Sequence, residues 1–291
     1  MNQAEADGTS LIDDHGLQAV EVRAADGACA LVTLHGAHVV SWIPAASGAE
    51  QLYVSPSSAF APGQAIRGGV PVVFPQHSNR GALVRHGFAR TMLWELLNPS
   101  VHDDGASITL RLTDDAQSRA AWPHAFVLQL VVRVAADDLW MELSCHNPGA
   151  AELQFSCALH TYLRVPDVAQ AQVRGLGGGA YWDAVDGANK IQALELLSVD
   201  GELDRVYAGV QQPLQVAARD GVQSGILQVA QTGFQDVVVW NPGAARAAAL
   251  ADLPYDGYRS MLCIEAARIS NPVCLQAGEH WAGLQHLARR R

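Results

Sequence analysis

Three segments of this chain hold the residue types needed to grip a small anionic ligand and to move protons on it. The stretch from Ile66 to Glu95, IRGGVPVVFPQHSNRGALVRHGFARTMLWE, carries Arg67, Arg80, Arg85 and Arg90 with His77 and His86. ALHTYLRV surrounds His160, and MLCIEAA surrounds Glu265. A guanidinium offers a planar fork that matches two phosphate oxygens and stays charged at any working pH. An imidazole titrates near ~6.5 and can give or take a proton at neutrality. A carboxyl hemmed in by apolar residues, as Glu265 is after SMLCI, has its pKa raised and is the better base near pH 7.

Each of these residues also has a plainer role open to it. Arg67, Arg85 and Arg90 would be ion-paired surface groups if they did not converge beside the Gly68-Gly69 turn, where a missing Cβ would let a ligand approach the backbone. Arg80 reads as an exposed loop residue and is left out. His160 is either at a strand end facing a cleft or a core histidine bonded to the backbone. His86, between arginines and next to glycine, is less suited to a core; His77 is a loop residue, and His35 and His38 suit packing. Glu265 could instead pair structurally with Arg268. Asp183, in GGGAYWDAVDG, could accept hydrogen bonds from sugar hydroxyls between Tyr181 and Trp182, or simply close a turn.

Several chemistries have no support. The histidines lack the HxH or HExxH spacing of a metal site, so no metal is expected. Lys190 is the sole lysine; there is no GxxxxGK[ST] loop, and a Schiff base would have to rest on that residue. Gly177-Gly178-Gly179 lacks dinucleotide-loop spacing, and no GxSxG elbow or Cys-His signature marks a covalent nucleophile. The formal charge of −10 argues against a nucleic-acid partner, though a local arginine cluster can still hold a small anion. Five cysteines without a CxxC pair read as reduced thiols of a cytoplasmic protein. The polar, acidic N-terminus is no signal peptide, and no apolar run reaches the ~20 residues of a membrane span.

The elements that must position these groups are mostly strands. Ser107–Leu112, Phe126–Val134, Leu139–His146, Glu152–Leu159, Gly225–Ala230, Asp236–Trp240 and Ser260–Glu265 are β-rich runs separated by turn residues such as Asn-Pro-Gly. Helices are expected only at Asp114–Ala121 and Ala244–Ala251. With no repeat or linker, residues 1–291 read as a single all-β antiparallel sandwich domain, with 1–20 as a peripheral segment.

AIRGGVPVVFPQ, RHGFARTMLWEL, CALHTYLRVPDV, DVVVWNP, ADLPYDGYRSMLCIEAA and AGEHWAGLQHL together resemble the hexose-6-phosphate mutarotases (glucose-6-phosphate 1-epimerases) of the aldose-epimerase superfamily, from about Gly36 to Leu287. The resemblance implies a large β-supersandwich of the galactose-mutarotase type. It implies that His160 is the general acid, Glu265 the general base, and that His86 assists near the ring oxygen. Arg67 and Arg90 would bind the 6-phosphate and Asp183 the sugar hydroxyls. The implied partner is a phosphorylated sugar, met by a monomer or weak homodimer, and no cofactor is needed to open the pyranose and reclose it on the other face.

Two places depart from the family pattern. Gln76-His77-Ser78 stands where an aromatic and a glycine are common, so Gln76 is a candidate ligand contact and the wall at His77 is open. Arg85 precedes HGFAR and either strengthens phosphate binding or faces solvent. Three readings follow: a mutarotase for hexose 6-phosphates, one for unphosphorylated sugars, and a non-catalytic sugar-binding protein on the same scaffold.

Overall fold

The computed structural model describes residues 9–97, 100–102, 104–218 and 225–290. The alternating runs form strands at the expected places: Gly105–Thr113, Val127–Ala135, Asp138–His146, Leu153–Leu159, Ile226–Thr232 and Asp236–Asn241. Among the described residues the strands assemble into three sheets of four, ten and eight strands, and the named strands pair antiparallel throughout. The two expected α-helices are short, Ala116–Ala121 and Gly243–Ala247. Asp115 fixes the start of the first by accepting from the Ser118 amide at 2.7 Å.

Residues 1–20 are not peripheral to their end. Leu17–Arg23 is the second strand of the four-stranded sheet, and Leu17, Ala19 and Val20 are buried. Leu17 and Ala19 alternate with exposed Gln18, the period-two signal of a strand, while Val20 and Val22 bury the opposite face as well.

One long strand, Met261–Leu275, organises the rest. It pairs with Asp236–Asn241 on one side and with Leu153–Leu159 and then Tyr162–Arg164 on the other. Both of its faces are covered, which is why MLCIEAARI reads as a nearly continuous apolar run. Leu262, Ile264 and Ala266 face the main core between the sheets. Met261, Cys263, Ala267 and Ile269 face a second apolar cluster that includes Tyr162, Val206, Val238 and Trp240, capped by Ala247, Leu250 and Leu253. By parity Glu265 belongs to this second face.

The strand runs well past the expected Ser260–Glu265 because a bulge absorbs Asn271-Pro272: Phe155 pairs with Val273 but Cys157 with Arg268. Asp236 stabilises that bulge, its Oδ2 accepting from the amides of Ile269 (2.6 Å) and Ser270 (2.7 Å).

Candidate active site

Register alone brings His160 and Glu265 face to face. Leu159 pairs with Ala266 and Tyr162 with Cys263, and the two pairs share one register. His160 therefore stands directly opposite Glu265, in the cross-strand position where side chains meet. Continuing the row, Glu265 pairs with Val238, Val238 with Val206, and Val206 with Trp182. Those five residues run from the junction between Leu159 and Tyr162 across four strands, and all five line one cleft of about 350 Å³, within the size range of small-molecule sites. Behind the row, Thr161 donates to Gln285 Oε1 (2.6 Å), and Gln285 Nε2 donates to the Ile264 carbonyl (3.1 Å). This buried network ties the His160 and Glu265 strands together from the core side.

The Glu265 carboxylate lies between two imidazoles. His77 Nε2 is 3.3 Å from Oε2, and His160 Nε2 is 3.3 Å from Oε1. All three groups are buried. Burial pushes the Glu265 carboxyl well above its ordinary value. Burial, then His77, Arg67 and Arg90, hold His160 well below its own. His77 is lowered to about 4, by burial first and then by Arg80. The cleft thus favours few charges, and burial places the proton on Glu265 and leaves His160 neutral. His160 is also stacked on Tyr162 (4.8 Å between ring centres) and edge-on to Trp240 (5.9 Å), so its orientation is set by packing.

His86 completes a cluster of three imidazoles, 5.1 Å from His77 and 5.5 Å from His160 between ring centres. Its backbone is left-handed at φ 66°, a strained conformation that the loop imposes to aim the ring into the cleft. Gly87 follows with φ 67°, and a Cβ there would lie 2.1 Å from the Phe74 carbonyl. The glycine lets the HGF turn lie against the strand end. His86 Nδ1 accepts from the Ser78 amide at 3.3 Å, and burial holds the ring far below its usual pKa.

Among the described residues, five arginines reach this cleft: Arg67, Arg80, Arg85, Arg90 and Arg246. Arg67 is bidentate to Asp252 (Nε to Oδ2 3.1 Å, Nη2 to Oδ1 3.1 Å) and donates to the Tyr162 hydroxyl (3.1 Å). Arg246 pairs with Glu202 at 2.9 Å. Arg90 donates to the Arg85 carbonyl (2.9 Å), and its buried Nε has no hydrogen-bond partner among the described residues. Arg80 lies over the Trp182 ring, 4.4 Å from its centre, and forms part of the cleft wall.

Two predicted contacts lie elsewhere. Asp183 is not among the cleft-lining residues; it pairs with Lys190 at 2.8 Å and accepts from the Val185 amide. Gln76 spends its amide on its own loop, donating to the Ser78 and Leu83 carbonyls and accepting from the Leu83 amide. Gly68 and Gly69 serve chain packing rather than ligand approach, since a Cβ would lie 2.3 Å from the Tyr53 and Val39 carbonyls respectively.

In their place the structure adds Asp204, His77, Tyr162 and Trp240 to the lining. The Asp204 carboxyl is pushed up to about 6 by burial and by Glu265. Its register partner Trp240 in DVVVWN was the available signal: a buried strand facing a cleft puts the partners of its inward residues in the same wall.

The sequence pattern of the aldose 1-epimerase family matches residues 18–288. A protein of Cenchrus ciliaris that carries the provisional name glucose-6-phosphate 1-epimerase is 31% identical over 280 residues, 92% of this chain and 83% of its own. One of Escherichia coli K12 with the same provisional name is 34% identical over 239 residues, 81% of this chain and 79% of its own. Among solved structures, a provisionally named mutarotase from Salmonella typhimurium superposes with a TM-score of 0.89 at 28% identity, covering 97% of this chain and 94% of that one. A galactose mutarotase related enzyme from Lactobacillus acidophilus shares the fold at a TM-score of 0.71 and 15% identity, with 97% of each chain covered.

Proposed function

We propose that this chain, which belongs to the aldose 1-epimerase family, interconverts the α and β anomers of hexose 6-phosphates, with glucose 6-phosphate as the leading candidate. The observation that carries the phosphate preference is Arg90. Its guanidinium lines the same cleft as the His160–Glu265 pair, and no carboxylate lies within ion-pair distance of it among the described residues. A mostly buried cation without an acidic partner is costly unless a ligand supplies the anion.

In this reading Glu265 takes the proton of the anomeric hydroxyl while His160 gives one to the ring oxygen. The C1–O5 bond breaks and the free aldehyde forms. Rotation about C1–C2 and attack of the 5-hydroxyl on the other face of the carbonyl close the opposite anomer, with the two groups exchanging roles. Ring opening leaves Glu265 protonated and His160 neutral, the low-charge arrangement that burial favours. The cleft thus lowers the cost of the open-chain state relative to water, and paired acid and base catalysis of ~10²–10⁴ each supplies the acceleration. Arg90 and Arg67 hold the 6-phosphate, and Trp182 and Trp240 offer apolar walls to the sugar.

One observation favours a second reading, an epimerase for unphosphorylated aldoses. Arg67 already has Asp252 and Tyr162 as partners, so its role can be structural. Magnetisation-transfer NMR of anomeric exchange decides between them, with glucose 6-phosphate and glucose measured side by side. Faster exchange of the phosphate ester supports the proposal; equal acceleration of both sugars supports the second reading. Acceleration of neither overturns both.

A further inference from the structure

Glu265 has two oxygens and, among the described residues, one imidazole at each. The His160 side is the reacting side in the proposed function, on which this inference rests. The His77 side has no part in that chemistry. We infer that His77 is a positioning residue: its Nε2–H holds Oε2, so that Oε1, facing His160, is the oxygen that carries the exchanged proton.

The imidazole is built into place. The His77 amide donates to Ser156 Oγ (2.8 Å), its carbonyl accepts from the Arg80 amide (3.2 Å), and the ring stands edge-on to His86. Gln76 cross-links the loop from Ser78 to Leu83 on either side of the turn. The buried Nδ1 of His77 has no hydrogen-bond partner among the described residues, so Oε2 is the one acceptor the ring reaches.

Tautomer chemistry then decides the polarity. A neutral imidazole has one N–H and one bare nitrogen. With the proton on Nδ1, a donor would be buried unpaired, and the bare Nε2 would need a proton on Oε2, the wrong oxygen for exchange with His160. With the proton on Nε2, the bond to Oε2 is made and the orphan is only a lone pair, the cheaper loss. Depression of His77 to about 4 keeps the ring neutral at working pH. The other groups around this carboxylate are Arg85 and Arg80 on the loop, His86, Tyr162, Cys263 and Asp204, with Arg67 and Arg90 acting on the His160 side. None of the hydrogen bonds among them reaches Oε2.

The contact is first read without turnover. Long-range ¹⁵N spectra of the histidine-labelled, ligand-free protein should show the His77 ring, identified by its loss in His77→Gln, as the Nε2–H tautomer between pH 6 and 9. That signal should move in Glu265→Gln. An Nδ1–H tautomer, or a signal indifferent to Glu265, overturns the inference even if the protein proves to be a mutarotase.

Kinetics then test the consequence. His77→Phe should lower kcat about 10- to 100-fold with KM little changed, as expected when a reacting group is misplaced. The acid limb of its kcat/KM profile should move to higher pH, because the carboxylate has lost a donor. His77→Gln, whose amide can donate to Oε2, should recover most of kcat. A loss carried by KM alone, or wild-type kcat in His77→Phe, overturns the positioning role. If the wild type accelerates exchange of neither sugar, the proposed function fails, while the tautomer and its response to Glu265→Gln still decide whether the contact exists.

Discussion

Two buried carboxylates on neighbouring strands of one sheet have opposite fates. Asp236 and Glu265 are 1% and 2% exposed, so burial does not separate them. Asp236 meets the backbone amides of Ile269 and Ser270, donors that cannot lose their protons. Glu265 meets two rings that can, at the longer distance of 3.3 Å. The same contrast extends outward. Gln285, Thr161, Asn241 and Asn147 hold the core with their polar groups engaged, whereas His77 Nδ1, His160 Nδ1 and Arg90 Nε of the cleft have no partner among the described residues. Unpartnered buried atoms occur outside the cleft too, at Trp42 Nε1 and His38 Nδ1 for example, but in the cleft they include charged and titratable groups that stand around Glu265.

The contrast breaks first if Glu265→Gln keeps its activity. Anomeric exchange should fall about 10²- to 10⁴-fold in that variant, with a thermal unfolding midpoint equal to or above the wild type, because the amide carries no buried charge. Asp236→Ala should do the reverse. The buried Ile269 amide and the Ser270 amide lose the carboxylate oxygen they share, so denaturant unfolding should show a loss of about 2–4 kcal/mol, while the folded fraction retains near-wild-type kcat.

Arg90→Ala sharpens the comparison on the cationic side. KM for glucose 6-phosphate should rise about 10- to 100-fold, the worth of a charge-assisted contact, and the rate on glucose should stay unchanged. Arg67→Ala should do likewise but also lower stability, since it strands Asp252 and the Tyr162 hydroxyl.

Asp204 gives the smallest effect and one that depends on pH. Its folded carboxyl is pushed up to about 6 from the ordinary 3.8, so the folded state binds the proton more tightly than the unfolded chain. The stability linked to that proton is fully present below about pH 4 and is lost as pH rises through about 6. Asp204→Asn should therefore gain roughly 1–3 kcal/mol relative to wild type between pH 4 and pH 8, read by denaturant midpoints at both pH values. A constant difference would mean that Asp204 is not held in its neutral form by the cleft.

Much of this was legible before any coordinates. Turn residues between alternating runs located the strands at Gly105–Thr113, Val127–Ala135, Asp138–His146, Leu153–Leu159, Ile226–Thr232, Asp236–Asn241 and the start of Met261–Leu275, fewer than half of those in the two larger sheets. Residue chemistry pointed to His160, His86, Glu265, Arg67, Arg85 and Arg90 but not to Arg80 or Arg246. Parity was not legible for Asp183. Trp182 faces the cleft and its neighbour therefore faces away, but the Gly177–Gly179 run gives no fixed point from which to count. Asp204 lies in LDRVYA without any local mark, and it joins the site only because its strand pairs with Asp236–Asn241. His77 looked like a loop residue, which it is; what the sequence could not reveal is that the loop folds back over Glu265. The bulge hid the true length of Met261–Leu275, since Asn-Pro in a run reads as a stop.

The row from Trp182 to His160 has a consequence for how errors in this protein would look. Side chains alternate along each strand, so a slip of one residue in Met261–Leu275 would turn Ile264 or Ala266 into the cleft and drive Glu265 into the oily space between the sheets. No intermediate register offers a partly assembled centre. Misfolded copies should therefore be silent rather than sluggish, and the specific activity of a preparation should count correctly registered molecules one by one.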